Sequence, residues 1–142
     1  MTDFEITIVD QVDDVLVADV KALLPQLSSA EVSRETIERC ATAPEITLYA
    51  AVQDGHVVGL TTLVLLPQLT GVRGHIEDVV VDEGHRGQGI ARALLSTAID
   101  RARVLGARTL DLTSRPSRQN AHRLYEGLGF VTRDTDVMRL VP

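Results

Sequence analysis

Apolar residues alternate at the start of the chain, where Phe4, Ile6 and Ile8 are separated by Glu5 and Thr7. A period of two predicts a half-buried strand over residues 4–9. The period then lengthens. Val12, Val15, Leu16, Val20, Leu23 and Leu24 recur at helical spacing, with Asp10 as a cap and Pro25 as a stop. After a polar connector over residues 28–33, a second helix is expected over 33–40, closed by Pro44. Residues 47–52 and 57–66 read as two strands around the turn pair Asp54-Gly55. Residues 67–74 read as a loop and 75–82 as a valine-rich strand, so that these three strands form an antiparallel meander. A long helix follows from about residue 89 to 105, with Ile90, Leu94, Ala98, Ala102 and Leu105 on one face and Gly106 just past its end. Residues 109–113 read as a strand that returns parallel to the one before the helix. A polar loop over 114–119, a short helix over 120–128 ended by Gly129, and two weaker strands over 130–132 and 137–140 complete the chain. The pattern predicts a single mixed α/β domain over residues 1–142. Its central mixed, twisted sheet has about six or seven strands, with helices on both faces.

Composition narrows this little. The 142 residues are 44% hydrophobic and 24% charged, as in an ordinary globular domain. The net charge of −6 argues against a nucleic-acid partner and leaves a cationic substrate open. Cys40 is the only cysteine, which excludes an intramolecular disulfide and a Cys-rich metal site; no metal is expected. Neither a secretory leader nor an apolar run of membrane-spanning length is visible, so a cytoplasmic location without membrane contact is expected.

The stretch from His75 to Leu105 carries the chemistry. Glu77 and Asp78 precede the run Val79-Val80-Val81; a loop with Gly84, Gly87 and Gly89 follows, then the long helix. Strand, glycine loop and helix N-terminus together bind phosphate on backbone N–H groups, and glycines let the backbone approach the anion. Arg86 adds a charge that can pair with phosphate oxygens. The segment Arg86-Gly87-Gln88-Gly89-Ile90-Ala91 resembles the acetyl-CoA pyrophosphate loop of the GNAT superfamily of N-acetyltransferases. A second stretch, Ala121-His122-Arg123-Leu124-Tyr125-Glu126-Gly127-Leu128-Gly129-Phe130, resembles that family's Leu/Phe-Tyr-Glu and Gly-Phe motif.

The resemblance implies the GNAT acyl-CoA N-acyltransferase fold and transfer of an acetyl group from acetyl-CoA to a primary amine in a ternary complex. It implies that Arg86, Gly87, Gln88, Gly89, Ile90 and Ala91 hold the pyrophosphate. Main-chain groups of Val79, Val80 and Val81 would bind the pantetheine arm where, in the family, this strand splays from its parallel neighbour. It makes Tyr125 the acid that protonates the leaving thiolate, a role suited to a side chain that stays protonated at neutral pH. Seven residues before Tyr125, where many members carry Asn, stands Arg118. Arg115 and Arg118 are read either as phosphate contacts or as solvated loop charges.

Glu77 is the candidate general base, directly or through a water. Strand alternation puts Glu77 with His75, Val79 and Val81, and Asp78 with Ile76 and Val80; the latter two are expected beneath a helix, which favours Glu77 for the cleft. His85 reads as a surface loop histidine rather than a proton shuttle, His75 and His122 as satisfied or exposed histidines, and Cys40 as a small buried residue. A non-catalytic acyl-CoA sensor would keep the loop without needing Tyr125 or Glu77. A nucleotide-binding reading lacks the loop lysine, since Lys21 is the only lysine. The acceptor, a small-molecule or peptide amine, is not specified. Homodimers are frequent in the family, and the sequence locates no interface.

Overall fold

The computed structural model describes residues 3–142. Two compact units are distinguished, Met1–Leu112 and Thr113–Pro142.

The first unit is a five-stranded sheet with three helices. β1 (Glu5–Ile8) leads to α1 (Asp14–Leu23), a short 3-10 turn (Leu24–Gln26) and α2 (Arg34–Thr42). The meander β2 (Ile46–Gln53), β3 (His56–Gln68) and β4 (Gly71–Val81) follows, then α3 (Ile90–Val104) and β5 (Thr109–Asp111). Spatial order equals chain order, with every pairing antiparallel except β4 with β5.

Local chemistry sets the helix starts. The cap of α1 is Asp13 rather than the expected Asp10: its carboxylate accepts from the Leu16 N–H at 2.8 Å. Ser33 caps α2 by accepting from the Thr36 N–H at 3.1 Å.

The expected loop over 67–74 is mostly strand. Gln68 pairs with Gly71 and Pro67 with Val72, so the hairpin reaches two residues from its tip. Pro67 is tolerated because β2 ends opposite Val64, which leaves this part of β3 on an edge where a missing N–H costs nothing.

The sheet has helices on both faces. Leu60, Leu48, Ala50 and Val80 join one cluster with Val17, Val20 and Leu23 of α1 and Ile37 of α2. Gly59, the neighbour of Leu60, turns the other way: a Cβ there would stand 3.0 Å from Ile90 Cγ2 and 3.2 Å from Leu94 Cδ1 of α3. Ala51 pairs with Gly59, so small residues on two strands let α3 lie close to the sheet. The buried stripe of α3 is Ile90, Leu94, Leu95, Ala98 and Ala102; Leu105, expected in it, is 37% exposed. Burying each large aliphatic side chain contributes about 1.5–3 kcal/mol. Among the described residues no helix is long and apolar enough to cross a membrane.

The second unit contains α4 (Gln119–Gly127). The strands expected over 130–132 and 137–140 are not formed, so the sheet has five strands rather than six or seven. Val131, Val137, Met138 and Leu140 are all exposed. Alternation marks which residues could share a face, but a strand needs a partner for its backbone groups.

Gly59→Val should force side chains into the α3 contact and cost about 1–3 kcal/mol. Urea unfolding should show a lower midpoint with an unchanged slope.

Candidate functional site

β4 carries an irregularity that decides which side chains face where. Thr62 pairs with Glu77 and Leu60 with Val80, so two steps along β3 match three along β4. The extra residue is a β-bulge, and within it Asp78 takes the left-handed conformation, φ 55°. Paired residues on neighbouring strands share a face. Ile76, opposite Leu63, and Val80, opposite Leu60, therefore lie on opposite faces, contrary to the expectation that both sit beneath one helix. Glu77, opposite Thr62, shares a face with Val80, while Val81, opposite Gly59, faces α3. The alternation that grouped Glu77 with Val81 breaks at the bulge.

Glu77 is half-exposed, with Oε1 3.0 Å from Nδ1 of His75 on the same face. That contact lacks hydrogen-bond alignment, so His75 Nδ1, itself enclosed, has no hydrogen-bond partner among the described residues. Across the parallel pairing His75 is level with Asp111 of β5. Three ionisable groups thus share one stretch of sheet, none of them in the apolar cluster. The Glu77 carbonyl accepts from the buried Thr61 hydroxyl at 3.3 Å, which ties the bulge to β3. Asp78 is exposed as a residue, yet desolvation of its carboxyl, and then the adjacent Glu77 charge, push its pKa above the ordinary value.

The outer edge of β4 opens beyond His75. β5 pairs only with Arg73, Gly74 and His75. Residues 76–81 have no strand partner on that edge among the described residues. Val79 and Val81 are partly buried and Val80 is buried. This run of backbone leads directly into the glycine loop.

The loop is built around Asp82. Its Oδ2 accepts from the Gly84 N–H at 3.2 Å and lies 2.7 Å from His85 Nδ1. Its Oδ1 accepts from the Gln26 side-chain amide at 2.9 Å, and the Gln26 carbonyl accepts from the Glu83 N–H at 2.9 Å. The Gln26 and His85 bonds hold the Asp82 carboxyl below the usual carboxylate range. Asp82 and Gln26 were not singled out by the sequence reading, and no local pattern marks a partner fifty-six residues away. His85, expected at the surface, is partly buried and tied to Asp82.

Past this turn the backbone is open. Arg86 Nε donates to the Val81 carbonyl at 3.3 Å. Gly87 and Gly89 have φ 82° and 81°, and a Cβ on either would meet nothing within 4 Å among the described residues. Gly89 is the N-cap of α3 and offers no side chain to the first N–H groups, which begin at Ile90 and Ala91. Unsatisfied donors at the positive end of a fifteen-residue helix, behind two glycines, make an anion site. Gln88 lies between the glycines, partly buried. An open strand edge for an amide-bearing arm and a donor-rich loop for a pyrophosphate fit acetyl-CoA.

In the second unit, α4 carries Tyr125. Its side chain is buried, with the Phe130 ring edge-on at 6.1 Å and 70°. Gly129, φ 102°, makes this possible: the Phe130 N–H returns to the Tyr125 carbonyl at 3.0 Å and closes the helix. Phe130 was expected to re-enter a sheet and instead packs on Tyr125. Burial pushes the Tyr125 hydroxyl above its ordinary pKa, with Arg118 opposing. His122 Nε2 lies 3.0 Å from the Arg115 carbonyl.

A bulged strand, a glycine loop and a helix N-terminus in this order are the arrangement expected of an acetyltransferase. The Acetyltransferase (GNAT) family matches residues 14–130, and the chain belongs to that family. A glucosamine 6-phosphate N-acetyltransferase of Trypanosoma brucei brucei is 33% identical over 75% of this chain and 72% of its own length. An aminoalkylphosphonate N-acetyltransferase of Salmonella typhimurium is 34% identical over 61% of this chain and 58% of its own length. The crystal structure of a Trypanosoma brucei acetyltransferase superposes with a TM-score of 0.82 at 28% identity, covering 99% of this chain and all (100%) of that one. The glucosamine-6-phosphate N-acetyltransferase of Arabidopsis thaliana, at 19% identity and a TM-score of 0.79 over 98% of this chain and 99% of that one, shares the fold.

Gly87→Ala meets no steric obstacle, so its cost is the left-handed backbone alone, about 1–2 kcal/mol. Chemical denaturation should return that loss with the native circular dichroism spectrum unchanged.

Proposed function

We propose that this chain is an acetyl-CoA-dependent N-acetyltransferase that transfers the acetyl group directly to a primary amine in a ternary complex. The observation that carries the reading is the free edge of β4 running into a left-handed glycine loop and an uncapped helix N-terminus. Both motif stretches fall within the matched residues 14–130, which supports treating residues 1–142 as one catalytic domain. For the acceptor we propose a small amine. Two relatives are named for small amine substrates, glucosamine 6-phosphate and aminoalkylphosphonates.

Acetyl-CoA supplies the acetyl group as a thioester. In this reading Arg86, Gly87, Gln88, Gly89, Ile90 and Ala91 bind the pyrophosphate through N–H donors and the Arg86 charge. The backbone of Val79, Val80 and Val81 binds the pantetheine arm along the free edge, and an N–H there polarises the acetyl carbonyl. Glu77, directly or through a water, takes the proton that an ammonium must lose before its nitrogen can attack. The new N–C bond forms as the C–S bond breaks, the Tyr125 hydroxyl gives the thiolate its proton, and the second proton leaving the nitrogen returns to the phenolate through solvent. The role needs a phenol that is protonated at neutral pH, and burial, which raises the Tyr125 pKa, keeps it so.

Calorimetric titration should give saturable one-to-one binding of acetyl-CoA and none of ATP. Gly89→Glu should abolish it while the protein stays folded, because the new side chain has open space and costs only the left-handed backbone, about 1–2 kcal/mol, but puts a negative charge on the anion site. Absence of binding by the folded wild type would refute the reading. Tyr125→Phe should lower kcat by about 10²–10⁴-fold and leave the acetyl-CoA Kd unchanged. Binding without turnover of glucosamine 6-phosphate, aminoethylphosphonate or any other amine offered would turn the assignment to a non-catalytic sensor. Since the raised pKa keeps Tyr125 protonated beyond its ordinary value of about 10, kcat should not fall between pH 7 and 9.

A further inference from the structure

Gln26 stands in the 3-10 turn that opens the connector between α1 and α2, yet both ends of its amide are spent on the start of the phosphate loop. The Nε2 group donates to Asp82 Oδ1 and Oε1 accepts from the Glu83 N–H, each at 2.9 Å. The pairing has a fixed sense. Rotating the amide by half a turn would set Nε2 against the Glu83 N–H and Oε1 against the carboxylate. Asp82 Oδ2 is committed to Gly84 and His85, so the carboxylate joins the connector on one oxygen and the loop on the other. The rest of the connector has a different neighbour: Leu24, Pro25, Ser28 and Val32 line an open cavity of about 480 Å³.

We propose that Gln26 is a positioning residue that holds the loop in its anion-binding shape, and that through it the loop and the α1–α2 connector order one another. The inference rests on the loop binding acetyl-CoA as proposed above. Linkage makes the coupling reciprocal: if an ordered connector favours a bound pyrophosphate, a bound pyrophosphate orders the connector to the same extent. Cofactor binding would thereby shape the cavity that the connector and the end of α1 line.

The test exchanges the two groups. Gln26→Glu alone sets two carboxylates against each other. Asp82→Asn alone sets its amide N–H against either the Gln26 amide or, turned round, the Gly84 N–H, so one bond is lost in both orientations. Combining them restores both bonds with the sense reversed: the Asn amide donates to the Glu carboxylate, which still accepts from the Glu83 N–H. The double variant also keeps the wild-type net charge, so long-range attraction of the anionic ligand is unaltered. Calorimetry with CoA should show each single variant binding about 5- to 10-fold more weakly and the double variant within about 2-fold of wild type. Single variants that bind as wild type does, or a double variant as weak as the two losses combined, would overturn the proposal.

Hydrogen exchange on the wild type decides independently of whether any variant folds. CoA should slow exchange over residues 24–32 as well as over the loop, residues 83–92. Protection confined to the loop would refute the coupling. No CoA binding at all would instead remove the proposed function, an outcome distinct from either.

Discussion

β4 is hydrogen-bonded along nearly its whole length on one side and for three residues on the other. That asymmetry is the constraint on which the rest of the structure depends. A strand paired on both edges has no backbone group to offer a ligand, and a strand paired on neither is not held still. Pairing with β3 fixes β4; the end of pairing with β5 at His75 leaves the next residues both rigid and open. The bulge at Asp78 falls in this free stretch. A left-handed residue there costs about 1–2 kcal/mol, and neighbouring structure must hold it in place. The ladder on either side of it and the Thr61 hydroxyl on the Glu77 carbonyl do so. What the bulge changes is direction: it puts Glu77 on the α1–α2 side of the sheet and returns Val81 to the α3 side.

The close seat of α3 follows from the same sheet. Gly59 and Ala51 remove the side chains that would hold the helix away, and the apolar stripe of α3 fills the space. A helix locked against the sheet has a fixed N-terminus, and its uncapped N–H groups are useful to an anion only if they point to a fixed place. Packing far along the helix and donor geometry at its first turn are therefore one problem. The loop before it is held on its other side by Asp82, Gln26 and His85. Arg86 is tied back to the Val81 carbonyl, so only the short run from Gly87 to Gly89 remains without such fastening, and it lies in the stretch proposed to meet the ligand.

The sequence disclosed most of the elements because each is a local pattern: helical spacing in α1 and α3, alternation in β1, the Asp-Gly turn between β2 and β3. It disclosed the glycine loop because left-handed backbone selects glycine, and Gly87 and Gly89 do adopt it. It could not disclose the bulge. Alternation assigns faces on the assumption that every residue advances the strand by one step, and a single inserted residue reverses every assignment beyond it. Ile76 and Val80 were paired on that assumption and lie on opposite faces. Gln26 escaped for another reason: polar in a polar connector, it acquires meaning only from a carboxylate fifty-six residues on. The strands expected after Gly129 had apolar residues but no partner among the described residues. Asp10 was expected to cap α1, but the helix begins further on and Asp13 caps it.

These successes and failures divide along a chemical line. The features expected to hold the cofactor are backbone groups: N–H donors at a helix end, a strand edge, glycines that clear the way. Backbone recognition leaves a compact mark in sequence, because it needs only a few residue types at fixed spacing. An acceptor is recognised by side chains brought together from separate elements. His75, Glu77 and Asp111 come from two strands and share a face only through the parallel register of β4 and β5. The connector that lines the open cavity comes from a third place. Any chain of this family can therefore carry a legible loop while its acceptor specificity stays unwritten until the sheet is assembled. In the proposed function the glycine loop touches only the cofactor, so discrimination between amines must come from side chains outside it.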